Sequence, residues 1–141
     1  MITQFRSEAL ATIITPNLHE AGALTGRDIQ TLAQMKEAAR AIHGMGPRNV
    51  VVKGGHLASV ATDVLFDGSE VTEFQAERVE TKNTHGTGCV LSAAITAHLA
   101  RGRGVPDAVR RAKQFIDEAI RTNPEIGHGY GPVNMHAAVD I

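Results

Sequence analysis

The segment Asn83-Thr84-His85-Gly86-Thr87-Gly88-Cys89 carries the densest chemical signal in the chain. It is a glycine-rich turn running into a helical pattern, and it ends on the only cysteine of the 141 residues. Backbone N–H groups exposed in such a turn, at the start of a helix, suit an anion such as a transferring phosphate. Thiols in a first helical turn ionise more readily than free ones, through the helix field and any nearby cation. One loop therefore offers an oxyanion cradle in Gly86, Thr87 and Gly88 and a base in Cys89, a pairing suited to phosphoryl transfer to a hydroxyl. A plain helix start with convenient glycines and a buried cysteine accounts for the same residues, since a lone Gly-Thr-Gly is a weak motif.

Two other stretches carry polar groups at useful places. Asn17 and Glu20 have the spacing of a capping box, the structural reading. The same oxygens could stand near a magnesium ion, directly or through its waters, because Mg²⁺ keeps several waters and takes few protein ligands. Lys53-Gly54-Gly55-His56 follows an apolar run, at the end of a strand where open α/β sheets bind their ligands. A lysine there either meets phosphate charge or simply reaches solvent. The seven histidines form no spacing of a metal set, and one cysteine cannot build a structural zinc site. Gly127, Gly129 and Gly131 imitate part of a dinucleotide fingerprint but follow a helix and precede none. Asp63, Asp67 and Glu70 read as hairpin and turn residues.

The elements that must position these groups alternate in type. Ala11-Thr12-Ile13-Ile14-Thr15 reads as a strand stopped by Pro16, and Asn17 to Leu24 as one or two helical turns. Ile29, Leu32, Met35, Ala39 and Ile42 form a helical stripe over Asp28 to His43, with Gly44 at the stop. Asn49 to Lys53 is apolar and β-branched, the mark of a buried parallel strand. Thr62 to Phe66 and Val71 to Phe74 flank Asp67-Gly68-Ser69, a hairpin signal. Glu77 to Glu80 reads as a further short strand. Gly88 to Arg101 is a helix closed by Gly102, and Pro106 opens a last helix with its stripe on Val109, Ala112, Ile116, Ala119 and Ile120. This order indicates an α/β layered fold with parallel strands.

Composition narrows the function. Forty-three per cent hydrophobic residues supply a core, and a net charge of −1 gives no electrostatic case for nucleic acid or an anionic membrane. Phe5, Phe66, Phe74, Phe115 and Tyr130 are too few for base-stacking platforms. No run approaches the roughly 20 apolar residues of a membrane span, and none suits a signal peptide. A lone cysteine fits a reducing cytoplasm.

Three motifs in order, Thr-Pro-Asn-Leu-x-Glu-Ala (15–21), Val-Lys-Gly-Gly-His (52–56) and Thr-x-Asn-Thr-His-Gly-Thr-Gly-Cys-x-Leu-Ser-Ala-Ala (81–94), resemble the hydroxymethylpyrimidine and phosphomethylpyrimidine kinases of thiamine biosynthesis. Ile126-Gly127-His128-Gly129 and Gly131-Pro132-Val133-Asn134 are similar to that family's C-terminal signature. The resemblance implies a ribokinase-like three-layer α/β/α fold with a mostly parallel sheet, and ATP-dependent phosphorylation of a pyrimidine hydroxymethyl group and then of its monophosphate. It implies that Gly86, Thr87 and Gly88 line the anion hole and that Cys89 takes the place where sugar kinases carry an aspartate base. Asn17 and Glu20 are tied by it to magnesium, and Lys53, Gly54, Thr84 and His85 to the nucleotide. Members of the family carry an additional N-terminal half that shapes the pyrimidine pocket, so residues 1–141 are expected to be the C-terminal, nucleotide-binding and catalytic half. Such a half would expose a sheet edge and apolar surface, which favours association, and the family suggests a homodimer. A pyridoxal kinase of the same superfamily, and a nucleotide-binding half-domain without transfer activity, are the alternatives.

Overall fold

The computed structural model describes residues 10–55, 61–76, 86–126 and 128–139. The chain divides into two compact units, Met1–Glu77 and Arg78–Ile141. The expected strand at Glu77 to Glu80 lies outside the described residues.

The first unit is built around a valine run. Helix α1 (Leu18–Thr25) is followed by α2 (Leu32–His43), β1 (Val50–Val52), β2 (Ala61–Phe66) and β3 (Val71–Ala76). Helix α1 ends where Gly26 adopts φ 67, a left-handed conformation that glycine takes without penalty. Helix α2 begins at Leu32, later than the apolar stripe suggests, because Thr31 and Gln34 close a capping box there. Ile29 is nevertheless buried, reaching the core from the segment before the helix.

All three β1 valines are fully buried. On one side they pair in parallel with the segment before α1, through the Ile14–Val50 and Asn17–Lys53 bridges. Pro16 does not end that pairing. It has no N–H to give, but its carbonyl still accepts the Lys53 N–H at 2.8 Å. On the other side β1 runs antiparallel to β2, with Val52 opposite Val64, so the described sheet has the order β1-β2-β3 and is antiparallel within itself. The parallel relation expected for β1 is therefore with the 14–17 segment, and the hairpin supplies its other neighbour.

The β2–β3 hairpin turns where the sequence places it. Asp67 Oδ1 accepts the Ser69 and Glu70 N–H groups, both at 2.8 Å, and Gly68 sits at φ 97. A side chain at Gly68 would also meet His43 Nε2 at 2.8 Å. The core of the unit joins Ala21, Met35, Ala38, Ala39 and Ile42 from the helices to Val50, Val52 and Val64 from the sheet.

The second unit holds α3 (Thr87–Ala100) and α4 (Val105–Arg121) packed on each other. Leu91 and Ile95 are the buried face of α3, and Val109, Ala112, Ile116 and Ala119 that of α4. Pro106 lies in the first turn of α4 as expected. Beyond α4 the tail returns to it: Asn134 N donates to the Ala119 carbonyl at 2.9 Å, Asn134 Nδ2 donates to Thr122 Oγ1 at 3.0 Å, and Val133 is buried. Among the described residues no helix is long and apolar enough to cross a membrane.

Candidate functional site

In the first unit, backbone pairing brings two of the three polar motifs together. The Asn17–Lys53 bridge sets the start of α1 beside the end of β1, at the C-terminal ends of neighbouring parallel segments. This is the edge at which open α/β sheets take ligands. Asn17 and Glu20 form the capping box in full: Asn17 Oδ1 accepts the Glu20 N–H at 2.8 Å, and Glu20 Oε2 accepts the Asn17 N–H at 2.7 Å. Each oxygen already holds one hydrogen bond, so the pair is better arranged to receive metal-bound water than to enclose a bare ion. Among the described residues no cluster of three or more His, Cys, Asp or Glu side chains could hold a metal by itself.

Gly54 is constrained by the fold itself. A Cβ at that position would lie 2.0 Å from the Thr62 carbonyl oxygen and 2.8 Å from Met35 Cε, whereas one at Gly55 would meet nothing within 4 Å among the described residues. The turn after β1 is thus pressed directly onto the start of β2, and its glycine is required before any ligand is considered. Lys53 is half-buried, and His56 lies outside the described residues.

In the second unit, Gly86 is the N-cap of α3 with φ 83, and no side chain among the described residues caps the helix. The first described intrahelical bond runs from Val90 N to Gly86 O at 3.0 Å. The Thr87, Gly88 and Cys89 N–H groups precede it, and such leading amides have no partner within their own helix. No described residue comes within 4 Å of a Cβ added at left-handed Gly86. Cys89 is a free and exposed thiol, not the buried structural cysteine of the plainer reading. An uncapped helix start with an exposed thiol in its first turn fits an anion cradle with an adjacent proton acceptor. Thr84 and His85 lie outside the described residues.

Asp63 belongs to the hairpin, as its sequence suggests, but does more there. It sits within β2, is only 7% exposed, and its Oδ1 accepts the Gly54 N–H at 2.9 Å. The available signal was a carboxylate inside an otherwise uncharged strand run, since a buried charge must be partnered. Asp67 by contrast is a turn residue, and the Glu70 and Ser69 N–H bonds to its carboxylate lower its pKa from 3.8.

The other perturbed groups lie in the last turn of α3 and the first turn of α4. His98 has its pKa lowered from 6.5, by burial first and then by Arg103, Arg111 and Arg101. Asp107 is held below 3.8 chiefly by the Arg111 hydrogen bond.

Residues 3–134 match the family described as phosphomethylpyrimidine kinase. The chain is 48% identical over 134 residues to the thiamine biosynthesis bifunctional protein ThiED of Geobacter sulfurreducens, covering 94% of this chain and 27% of that protein. It is 48% identical over 131 residues to the hydroxymethylpyrimidine/phosphomethylpyrimidine kinase of Staphylococcus aureus, covering 91% of this chain and 48% of that one. Among solved structures, an ADP complex of Bacillus subtilis pyridoxal kinase is 42% identical with a TM-score of 0.90, covering 95% of this chain and 53% of that one. The chain spans about half the length, or less, of these relatives. Its fold is the ribokinase-like α/β fold expected from the sequence.

Proposed function

The chain belongs to the phosphomethylpyrimidine kinase family, and from that premise we propose that it is the nucleotide-binding, catalytic C-terminal half of a kinase. That kinase transfers phosphate from ATP to hydroxymethylpyrimidine and then to its monophosphate, in thiamine biosynthesis. The observation that carries phosphoryl transfer is the uncapped start of α3, entered through left-handed Gly86, with Cys89 exposed in its first turn. The choice of a pyrimidine rests on the relatives named above.

Each residue then has a definite task. Cys89 Sγ takes the proton of the acceptor hydroxyl while that oxygen forms its bond to the γ-phosphorus and the bond to the departing ADP oxygen breaks. The Thr87, Gly88 and Cys89 amides hold the oxygens of the moving phosphoryl group, where charge accumulates. Lys53 meets the nucleotide phosphates, Gly54 sets the turn that carries it, and Thr84 and His85 complete the nucleotide side. Asn17 and Glu20 would orient waters of a magnesium ion, which when bound would neutralise phosphate charge.

The enzyme acts in the cytoplasm, where a free thiol stays reduced, and works as a homodimer. Exposed Leu10, Ile126 and Tyr130 support association with further protein surface. A pyridoxal kinase is the second reading, favoured by the 42% identity to the Bacillus subtilis enzyme.

The test is ADP release with hydroxymethylpyrimidine by the unaltered chain and by Cys89→Ala. Loss of the base should lower turnover by about a hundredfold or more while ATP affinity stays within about twofold. Near-normal turnover in Cys89→Ala would remove the thiol from the reaction.

A further inference from the structure

Asp63 has no place in the chemistry assigned above, yet its hydrogen bond ties it to the turn that follows Lys53. Burying a carboxylate is unfavourable unless it is hydrogen-bonded and balanced by positive charge. The Gly54 N–H supplies a hydrogen bond at 2.9 Å. The β1–β2 ladder ends at Val52 opposite Val64, so Asp63 and the turn that follows Lys53 lie immediately beyond it. The neighbouring Thr62 carbonyl closes the other side of the turn, leaving Gly54 no space for a Cβ. The start of β2 is thus a template against which the Lys53-Gly54-Gly55 turn is pressed.

We propose that Asp63 is a positioning residue for nucleotide phosphate binding, its buried carboxylate fixing the Lys53-Gly54-Gly55 turn and thereby the direction in which Lys53 presents its ammonium group. This rests on the assignment of Lys53 to the nucleotide phosphates. The carboxylate touches no phosphate, since an anion beside the phosphates would repel them. It acts through the turn. Asparagine at 63 keeps an oxygen acceptor for the Gly54 N–H but loses the negative charge that strengthens the bond, and alanine loses both.

The experiment is calorimetric titration of the whole chain with ATP and Mg²⁺, for the unaltered protein, Asp63→Ala, Asp63→Asn, Lys53→Ala and the Asp63→Ala/Lys53→Ala double variant. Amide hydrogen exchange at Val51, Val52 and Gly54 is followed alongside. Asp63→Ala should weaken ATP binding by about tenfold, the worth of a charge-assisted hydrogen bond, with Asp63→Asn in between. On the Lys53→Ala background the same change should cost less than about twofold, because the two residues act as a unit. Gly54 should exchange faster in Asp63→Ala while Val51 and Val52 stay protected. Full additivity with Lys53→Ala, or loss of protection across β1 together with Gly54, would reduce Asp63 to a structural residue and overturn the proposal. If the alanine variant does not fold, unchanged ATP affinity in Asp63→Asn overturns the charge role and an intermediate loss sustains it. Absence of ATP binding by the unaltered chain would refute the assignment of Lys53. Normal binding there with an unaffected Asp63→Ala would refute the role of Asp63 alone.

Discussion

Replacing Gly54 by alanine should damage the first unit far more than one methyl group suggests. The new Cβ would stand 2.0 Å from the Thr62 carbonyl oxygen and 2.8 Å from Met35 Cε. Carbon and oxygen normally approach no closer than about 3.3 Å, so the turn and β2 must part by more than about 1 Å. Met35 is a flexible side chain, but it is fully buried and has little room to yield. The Thr62 carbonyl is backbone and cannot yield without disturbing the ladder. A shift of that size stretches the Gly54–Asp63 hydrogen bond of 2.9 Å beyond bonding range. Overpacking of this kind costs about 1–3 kcal/mol, and losing a hydrogen bond to a charged group about 1.5–3 kcal/mol. Alanine returns about 0.4–1 kcal/mol by restricting the unfolded chain, which leaves a net loss of about 3 kcal/mol. Gly55→Ala is the control, because its Cβ meets nothing within 4 Å among the described residues. Urea unfolding followed by circular dichroism should separate the two: Gly54→Ala falls by about 3 kcal/mol and Gly55→Ala stays within about 0.5 kcal/mol. A Gly54→Ala loss below about 1 kcal/mol, or one equal to the control, would refute the steric reasoning.

Asn17 offers a way to part capping from ligand binding. Asn17→Asp keeps a good N-cap and should leave stability within about 0.5 kcal/mol, while Asn17→Ala loses about 1 kcal/mol in the same unfolding assay. If Asn17 also orients magnesium-bound water, Asn17→Asp should change the Mg²⁺ dependence of ATP binding; an unchanged dependence in a stable variant would confine Asn17 to the cap. His98 predicts a pH effect. Its folded pKa lies below the 6.5 of the unfolded chain, so beneath that pH the unfolded state takes up a proton that the folded state resists. Stability is therefore unaffected above about pH 7 and declines as pH falls through 6.5 toward the folded pKa. His98→Gln should lessen the loss between pH 7 and pH 5.5, measured as urea midpoints, and an identical decline in both proteins would sink the assignment.

Much of this arrangement is legible in the sequence because local chemistry decides it. Asn17 with Glu20 announces the start of α1, Asp67-Gly68-Ser69 announces the hairpin, and Pro106 opens α4. The start of α2 is harder to read, because Ile29 continues the apolar spacing from an extended segment while Thr31 and Gln34 decide where the helix begins. The antiparallel neighbour of β1 is a long-range choice, as valines buried on both sides carry no mark of strand direction. Asp63 is a hairpin residue as the sequence suggests, but its bond to the turn after β1 is hidden for the same reason. Its partner is an amide nine residues away, brought alongside only when the chain after β1 turns back into β2. For the Gly86–Cys89 turn the motif indicates the chemistry, while the left-handed Gly86 and the exposed thiol emerge only from the fold.

The most direct test is mass-spectrometric detection of product from the purified chain with ATP and Mg²⁺, offering hydroxymethylpyrimidine and pyridoxal side by side. Phosphorylated pyrimidine, with little or no phosphorylated pyridoxal, is the predicted result. Phosphorylated pyridoxal alone, or no product from either acceptor, would contradict the claim that this chain carries phosphoryl transfer to a pyrimidine.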